Sequence, residues 1–170
     1  SRGVEWDLQA LLARGLVLRL NGAWNDAYYK SFENAPCPAE AYPDDPASCS
    51  LTGEQVQGAP RWTVNAGLSY RHEWSRRWGQ EFHLNYAWRS RANPSIDNSV
   101  YSEIPAYGLL NASTVVQRYL ERGEIAFSLW ARNLLDERYI LTGGTTINSV
   151  YAGSPGTPRT LGATLRYSFY

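Results

Sequence analysis

Residues 158–170 read PRTLGATLRYSFY, and from Leu161 onward every second residue is apolar or aromatic: Leu161, Ala163, Leu165, Tyr167 and Phe169. Between them stand Gly162, Thr164, Arg166 and Ser168, with Thr160 just before. A period of two sends alternate side chains to opposite faces of an extended chain, so this is a strand with one greasy and one polar face. A final strand that ends in aromatics is what an outer-membrane β-barrel needs for insertion and closure.

The same alternation recurs six times upstream. Val4, Trp6, Leu8 and Ala10 alternate with Glu5, Asp7 and Gln9, and Leu16, Leu18, Leu20 and Trp24 with Val17, Arg19, Asn21 and Asn25. Trp62, Val64, Ala66, Leu68 and Tyr70 follow, then Phe82, Leu84, Tyr86 and Trp88. Leu110, Ala112, Thr114 and Val116 make a weaker fifth segment, and Ile125, Phe127, Leu129 and Ala131 the sixth. This pattern predicts seven strands and no helix. Each reaches the roughly 9–11 residues that a tilted strand needs to cross a bilayer.

The connections alternate strictly. Residues 11–15, 75–79 and 120–123 are short turns, whereas 30–60, 92–106 and 134–157 are long loops. Up-and-down strands joined in this way carry all tight turns at one end and all long loops at the other. That is the layout of a bacterial outer-membrane barrel, with periplasmic turns and extracellular loops. Aromatics gather near both strand ends: Trp74, Trp78, Tyr119 and Tyr167 at the turn end, and Trp24, Tyr28, Tyr29, Trp62, Trp88 and Tyr107 at the loop end. Two such belts suit the two membrane interfaces. The competing reading is a soluble β-sandwich or lipocalin-like barrel, which has no reason to keep every second loop long.

Composition agrees. Formal net charge is zero and Lys30 is the only lysine, which gives no electrostatic case for nucleic acid. No run of about 18 apolar residues exists, so no membrane helix is expected, while a strand barrel keeps its mean hydropathy modest. Cys37 and Cys49 sit close together in a polar, proline-rich stretch, which points to a loop disulfide and an oxidising compartment; two unpaired thiols are the alternative. The sequence opens SRGVEWD, without Met or a signal region, and reads as a segment of a longer protein.

Two motifs carry a family likeness. Residues 133–139 read NLLDERY, in which Asn133, Leu134, Asp136 and Tyr139 match a segment that ends the penultimate strand of the TonB-dependent outer-membrane receptors, with Leu135 where Phe is commoner. The closing stretch resembles the family's PRTxxxxLRYxF ending through Pro158, Arg159, Thr160, Leu165, Arg166, Tyr167 and Phe169, although Tyr170 follows where the family usually stops. The segment 58–70, GAPRWTVNAGLSY, also resembles a family strand entry.

The resemblance implies an all-β, antiparallel, up-and-down transmembrane barrel segment: about seven strands of a barrel of about 22 that encloses an N-terminal plug. Residues 1–170 then form the C-terminal portion, with plug and TonB box absent. The implied function is active import of a scarce nutrient, most of all an iron–siderophore complex, energised by TonB through that plug. Hydroxamate, catecholate, haem, cobalamin and carbohydrate ligands all remain open. Implied partners are outer-membrane lipid, lipopolysaccharide and the barrel assembly machinery, which would engage the last strand. The different-class rival is a small porin-like or structural barrel without a plug. An odd strand count supports the segment reading, because single-chain bacterial barrels close with even numbers and open edges cannot face hydrocarbon.

No catalytic constellation, metal site or cofactor is called for. His72 falls on the lipid-facing parity and His83 on the lumen parity between Glu81 and Asn85. The lumen parity also holds Arg19, Asn21, Asn65, Arg71, Asn111, Gln117, Arg132 and Arg166, a hydrated wall suited to a plug. Arg61, Arg89 and Arg91 stand highest; guanidinium groups pair bidentately with carboxylate or phosphate, which makes them candidates for contact with an anionic chelate or with lipopolysaccharide. Trp130 has inward parity and reads as packing. The disulfide loop, with Tyr42, Asp44 and Asp45, is expected either to fold over ligand or to resist proteases.

Overall fold

A computed structural model describes residues 1–41, 48–145 and 150–169. Tyr42, Asp44, Asp45 and Tyr170 lie outside the described residues. The chain forms β1 (Arg2–Ala13), β2 (Leu16–Asp26), β3 (Trp62–Ser75), β4 (Trp78–Arg89), β5 (Tyr107–Leu120), β6 (Gly123–Arg132), β7 (Ile140–Thr145), β8 (Tyr151–Pro155) and β9 (Thr160–Phe169). Seven of these make one antiparallel sheet in the order β1-β2-β3-β4-β5-β6-β9, and β1 and β9 are not paired with each other. The sheet is an open arc, as a piece of a barrel wall is.

All seven alternating segments become strands of this sheet, and the register keeps their faces aligned. Ala10, Leu18, Leu68, Leu84, Ala112, Ala131 and Leu161 stand opposite one another in one row across the whole sheet. The next row on the other face contains Gln9, Arg19, Gly67, Asn85 and Asn111. A slip of one residue at any strand would put polar groups among the leucines, so the alternation itself holds the register.

Two expectations need correction. The seven strands that the sequence predicts form the wall, but the last long loop is not all loop: β7 and β8 form an additional hairpin inside it. ILTGGT and YAGSP have no greasy face, so the period-two signal is missing there. Two single turns of 3-10 helix, Ala39–Ala41 and Val100–Ser102, also interrupt the loops. The short turns are tighter than expected. Only Arg14-Gly15, Arg76-Arg77 and Glu121-Arg122 lie between the paired strands, because hydrogen bonding continues past the point where the alternation fades.

Glycines on the sheet are covered by aromatic rings. A Cβ at Gly22 would run into the Trp6 ring, one at Gly108 into Tyr86, and one at Gly162 into Trp130. Trp6 and Trp130 are the direct cross-strand partners of their glycines. A ring laid over a cross-strand glycine replaces the missing packing and pins the register. Trp130 therefore fills a gap on the polar face. Its Nε1 donates to Thr164 Oγ1 at 3.3 Å and the Arg132 guanidinium lies 5.4 Å from its ring.

Candidate functional site at the long-loop end

The apolar face is left bare. Leu165 is 72% exposed and Phe169 80%, and Leu84, Phe127 and Leu129 are exposed within the sheet. At the loop end of this face Trp62 packs between Trp6 and Trp24, each at 6.3 Å; at the turn end lie Trp74, Trp78 and Tyr167. These are two aromatic levels on one side of the sheet. Tyr119 and Tyr107 belong to the other side. The Tyr119 hydroxyl donates to Gln117 Oε1 at 3.0 Å and accepts from Arg71 at 3.3 Å, while Tyr107 stacks on Tyr139 at 4.5 Å.

The polar face carries a side-chain network. Arg71 meets Glu81 at 3.5 Å and Glu73 at 3.7 Å, and Glu81 reaches His83 at 3.4 Å. Asn65 Nδ2 donates to Asn21 Oδ1 at 3.1 Å. His72 sits on the apolar face, where its ring stacks on Tyr70. Among the described residues no group of His, Cys, Asp and Glu could hold a metal ion.

The long loops have a core of their own. Buried Ala27, Ala35, Leu51, Ala92 and Ile104 all lie in them, as do buried Ser95, Asp97, Ser99 and Ser102; in the strands only Ala126 is comparably buried among the described apolar side chains. In the first loop Ala35 and Cys49 exchange backbone hydrogen bonds of 2.8 and 2.9 Å, and Cys37 and Cys49 are joined by a disulfide. This loop docks on the second: Gly58 N donates to Asn93 O at 2.7 Å and Gln57 Nε2 to Pro94 O at 2.6 Å.

Glu40 and Tyr151 lock the assembly. Glu40 accepts from Ser99 Oγ at 2.7 Å and from Val100 N at 2.8 Å. Burial opposes the charged form, but these hydrogen bonds outweigh it and hold the Glu40 carboxyl below its usual value. The Tyr151 hydroxyl, from β8, donates to Asp97 Oδ2 at 3.0 Å and accepts from Ala39 N at 3.2 Å. One oxygen thus joins all three loops. Neither residue stood out in the sequence, because no periodicity marks a loop contact across 112 positions.

The NLLDERY motif is a clamp on the last loop. Asn133 is buried, with φ of 49°, and its amide donates to Glu137 O at 2.8 Å and Thr157 O at 3.1 Å while accepting from Glu137 N at 2.9 Å. Asp136, with φ of 57°, accepts from Arg159 N at 3.0 Å. Asn and Asp tolerate this left-handed backbone better than other side-chain-bearing residues. Leu134 N donates to Leu110 O at 2.7 Å, and Gly156 lies against the Tyr139 ring. The motif thereby places 156–160 to start β9. Leu135 points outward and is 64% exposed.

The three arginines part company. Arg61 pairs with Asp26 at 3.5 Å, which Arg2 also binds at 2.9 Å, and Arg91 pairs with Glu103 at 3.3 Å. Arg89 lies 5.5 Å over the Tyr107 ring and its buried Nε has no hydrogen-bond partner. Among the described residues it has no carboxylate partner.

The family model described as TonB dependent receptor-like, beta-barrel, matches residues 1–134. No curated protein matches the chain. Among solved structures it is similar to the ferric yersiniabactin uptake receptor FyuA from Yersinia pestis, with a TM-score of 0.71 and 21% identity over 99% of this chain and 23% of that one. The siderophore receptor PiuA from Acinetobacter baumannii gives a TM-score of 0.66 and 13% identity over 98% of this chain and 21% of that one. The chain spans under a quarter of either structure. A greasy wall with tight turns at one end and a packed loop crown at the other thus has its place in an outer-membrane barrel, and the chain belongs to the TonB-dependent receptor family.

Proposed function

We propose that residues 1–170 are the C-terminal portion of the barrel of an outer-membrane importer for an iron–siderophore complex. Energy would come from TonB through a plug elsewhere in the receptor. The observation that carries this is the crown: three long loops bound to one another at one end of an open transmembrane wall. A pre-ordered loop surface suits capture of a bulky ligand, because less ordering entropy is lost on binding. The open edges of β1 and β9 support the partial-barrel reading, since backbone groups in hydrocarbon need partners. Of the solved structures named above, one is a ferric yersiniabactin uptake receptor and the other a siderophore receptor.

Within this reading the polar face contacts the plug, the disulfide stiffens the first loop, and β9 presents Leu165, Tyr167 and Phe169 to the assembly machinery. Arg89 is the best placed of the three arginines to meet an anionic chelate, because Arg61 and Arg91 are already held by carboxylates; those two, at the loop end, could also meet lipopolysaccharide phosphate. The test is uptake of a panel of labelled ferric siderophores by cells with and without the receptor, in TonB-positive and TonB-negative backgrounds. One chelate should enter only when both are present. Equal uptake without the receptor across the panel would remove the proposal. Arg89→Ala in the full receptor should weaken chelate binding several-fold; unchanged affinity ends its ligand role.

A further inference from the structure

The outward wall carries a feature that neither cargo nor plug explains. Across β3 to β9 a groove of about 560 Å³ opens on the apolar face. Tyr70 and Phe82, stacked at 6.4 Å, form one wall, Leu129 and Leu161 the other, and Ala112 and Ala131 lie between them. Small side chains between large ones leave a trough in a face that meets lipid. Along β5 the same face continues through Thr114 and Val116 to Arg118. Thr114 accepts from Gln80 Nε2 at 3.0 Å, so the one polar step on the way is satisfied.

At the turn end lies a second cavity, of about 280 Å³, lined by Arg76, Arg77, Arg118 and Glu121 among others. Arg118 lies 5.4 Å over the Trp78 ring, at the aromatic level of that end. Arg2, Arg61, Arg71 and Arg91 each bind a carboxylate. Among the described residues Arg76, Arg77 and Arg118 have no such ion pair, although Glu121 shares their cavity. Three guanidinium groups against one carboxylate favour an anion, and phosphate accepts their paired donors well.

We propose that this wall holds one phosphatidylethanolamine molecule of the periplasmic leaflet. Its phosphate sits on Arg76, Arg77 and Arg118, its ammonium faces Glu121, and one acyl chain fills the groove. The length fits. Six residues of strand from Ala112 to Arg118 span about 20 Å. One leaflet, about 15 Å of hydrocarbon, measures about 20 Å along a strand tilted by about 40°. The proposal uses the family's membrane orientation and is independent of the cargo.

The test is native mass spectrometry of the full receptor in detergent, titrated with dioleoyl phosphatidylethanolamine. The combined change Arg76→Gln, Arg77→Gln, Arg118→Gln should cut retained lipid at least tenfold. Ala112→Phe, which fills the groove and leaves the cations alone, should cut it several-fold. Glu121→Gln should shift preference toward phosphatidylglycerol. Heat-modifiable mobility reports folding; if the triple variant fails to fold, Arg118→Gln alone should still lower retention several-fold. Unchanged retention in the folded arginine variants overturns the proposal. So does displacement by millimolar inorganic phosphate with no effect of Ala112→Phe, which would mark a free-phosphate site.

Discussion

The wall and the crown hold together by opposite means. In the wall, six ladders of backbone hydrogen bonds join seven strands, yet scarcely a side chain is buried. In the crown, regular ladders are few, yet most of the buried side chains are there. The wall needs a second solvent: its leucines and aromatics gain nothing until hydrocarbon covers them, and its backbone tolerates hydrocarbon only because the ladders satisfy it. The crown stands in water and so needs an interior, assembled from serines, a carboxylate, small apolar residues and a disulfide.

The largest effect should come from charging the wall. Leu84→Arg, mid-strand on the lipid face, should destabilise the reconstituted receptor by about 2–4 kcal/mol, whereas Asn85→Arg next to it should cost far less. Denaturant titration in vesicles measures both; equal costs would break the assignment of faces. Next is the crown's covalent link. Replacing Cys37 and Cys49 by Ser should release about 2–3 kcal/mol of loop constraint. Limited proteolysis should then cut the first loop faster while heat-modifiable mobility stays unchanged. A barrel that loses its mobility shift would show that crown and wall fold as one unit.

Smaller still is the hinge between them. Asn133→Ala removes three side-chain hydrogen bonds and leaves the Glu137 and Thr157 carbonyls unmet, which should cost about 1–3 kcal/mol. Hydrogen exchange should rise in 134–160 and stay unchanged in β3 and β4. The smallest effect is acid loosening of the crown. The Glu40 carboxyl is held below its usual value of 4.5, so its contribution is complete above that pH and is lost as pH falls through the lower, folded value. The protection factor of the Val100 amide, which allows for the slowing of intrinsic exchange in acid, should therefore fall below about pH 4.5, and Glu40→Gln should flatten that dependence.

The wall was legible in advance because a strand's side-chain period does not depend on its neighbours. Leu161 to Phe169, or Trp62 to Tyr70, declare two faces from nine residues each. The turns Arg76-Arg77 and Glu121-Arg122 are narrower than the alternation implies, since strand pairing runs past the last greasy residue. β7 and β8 leave no period-two signal because a hairpin in a water-facing loop needs no apolar face. Asn133 and Asp136 stand out in the sequence as a motif, but their role as a clamp appears only in their left-handed backbone and in the carbonyl and amide they hold.

The sequence alone determined the alternating faces, the up-and-down order and the separation of tight turns from long loops. Each follows from local period and turn length. Which loop residues meet depends on the three-dimensional fold. Tyr151 finds Asp97 and Ala39, Glu40 finds Ser99, and Arg61 and Arg91 find carboxylates, whereas Arg89 has none among the described residues. Contacts between loops far apart in the chain depend on where the strands set the loop ends, and no local pattern records that.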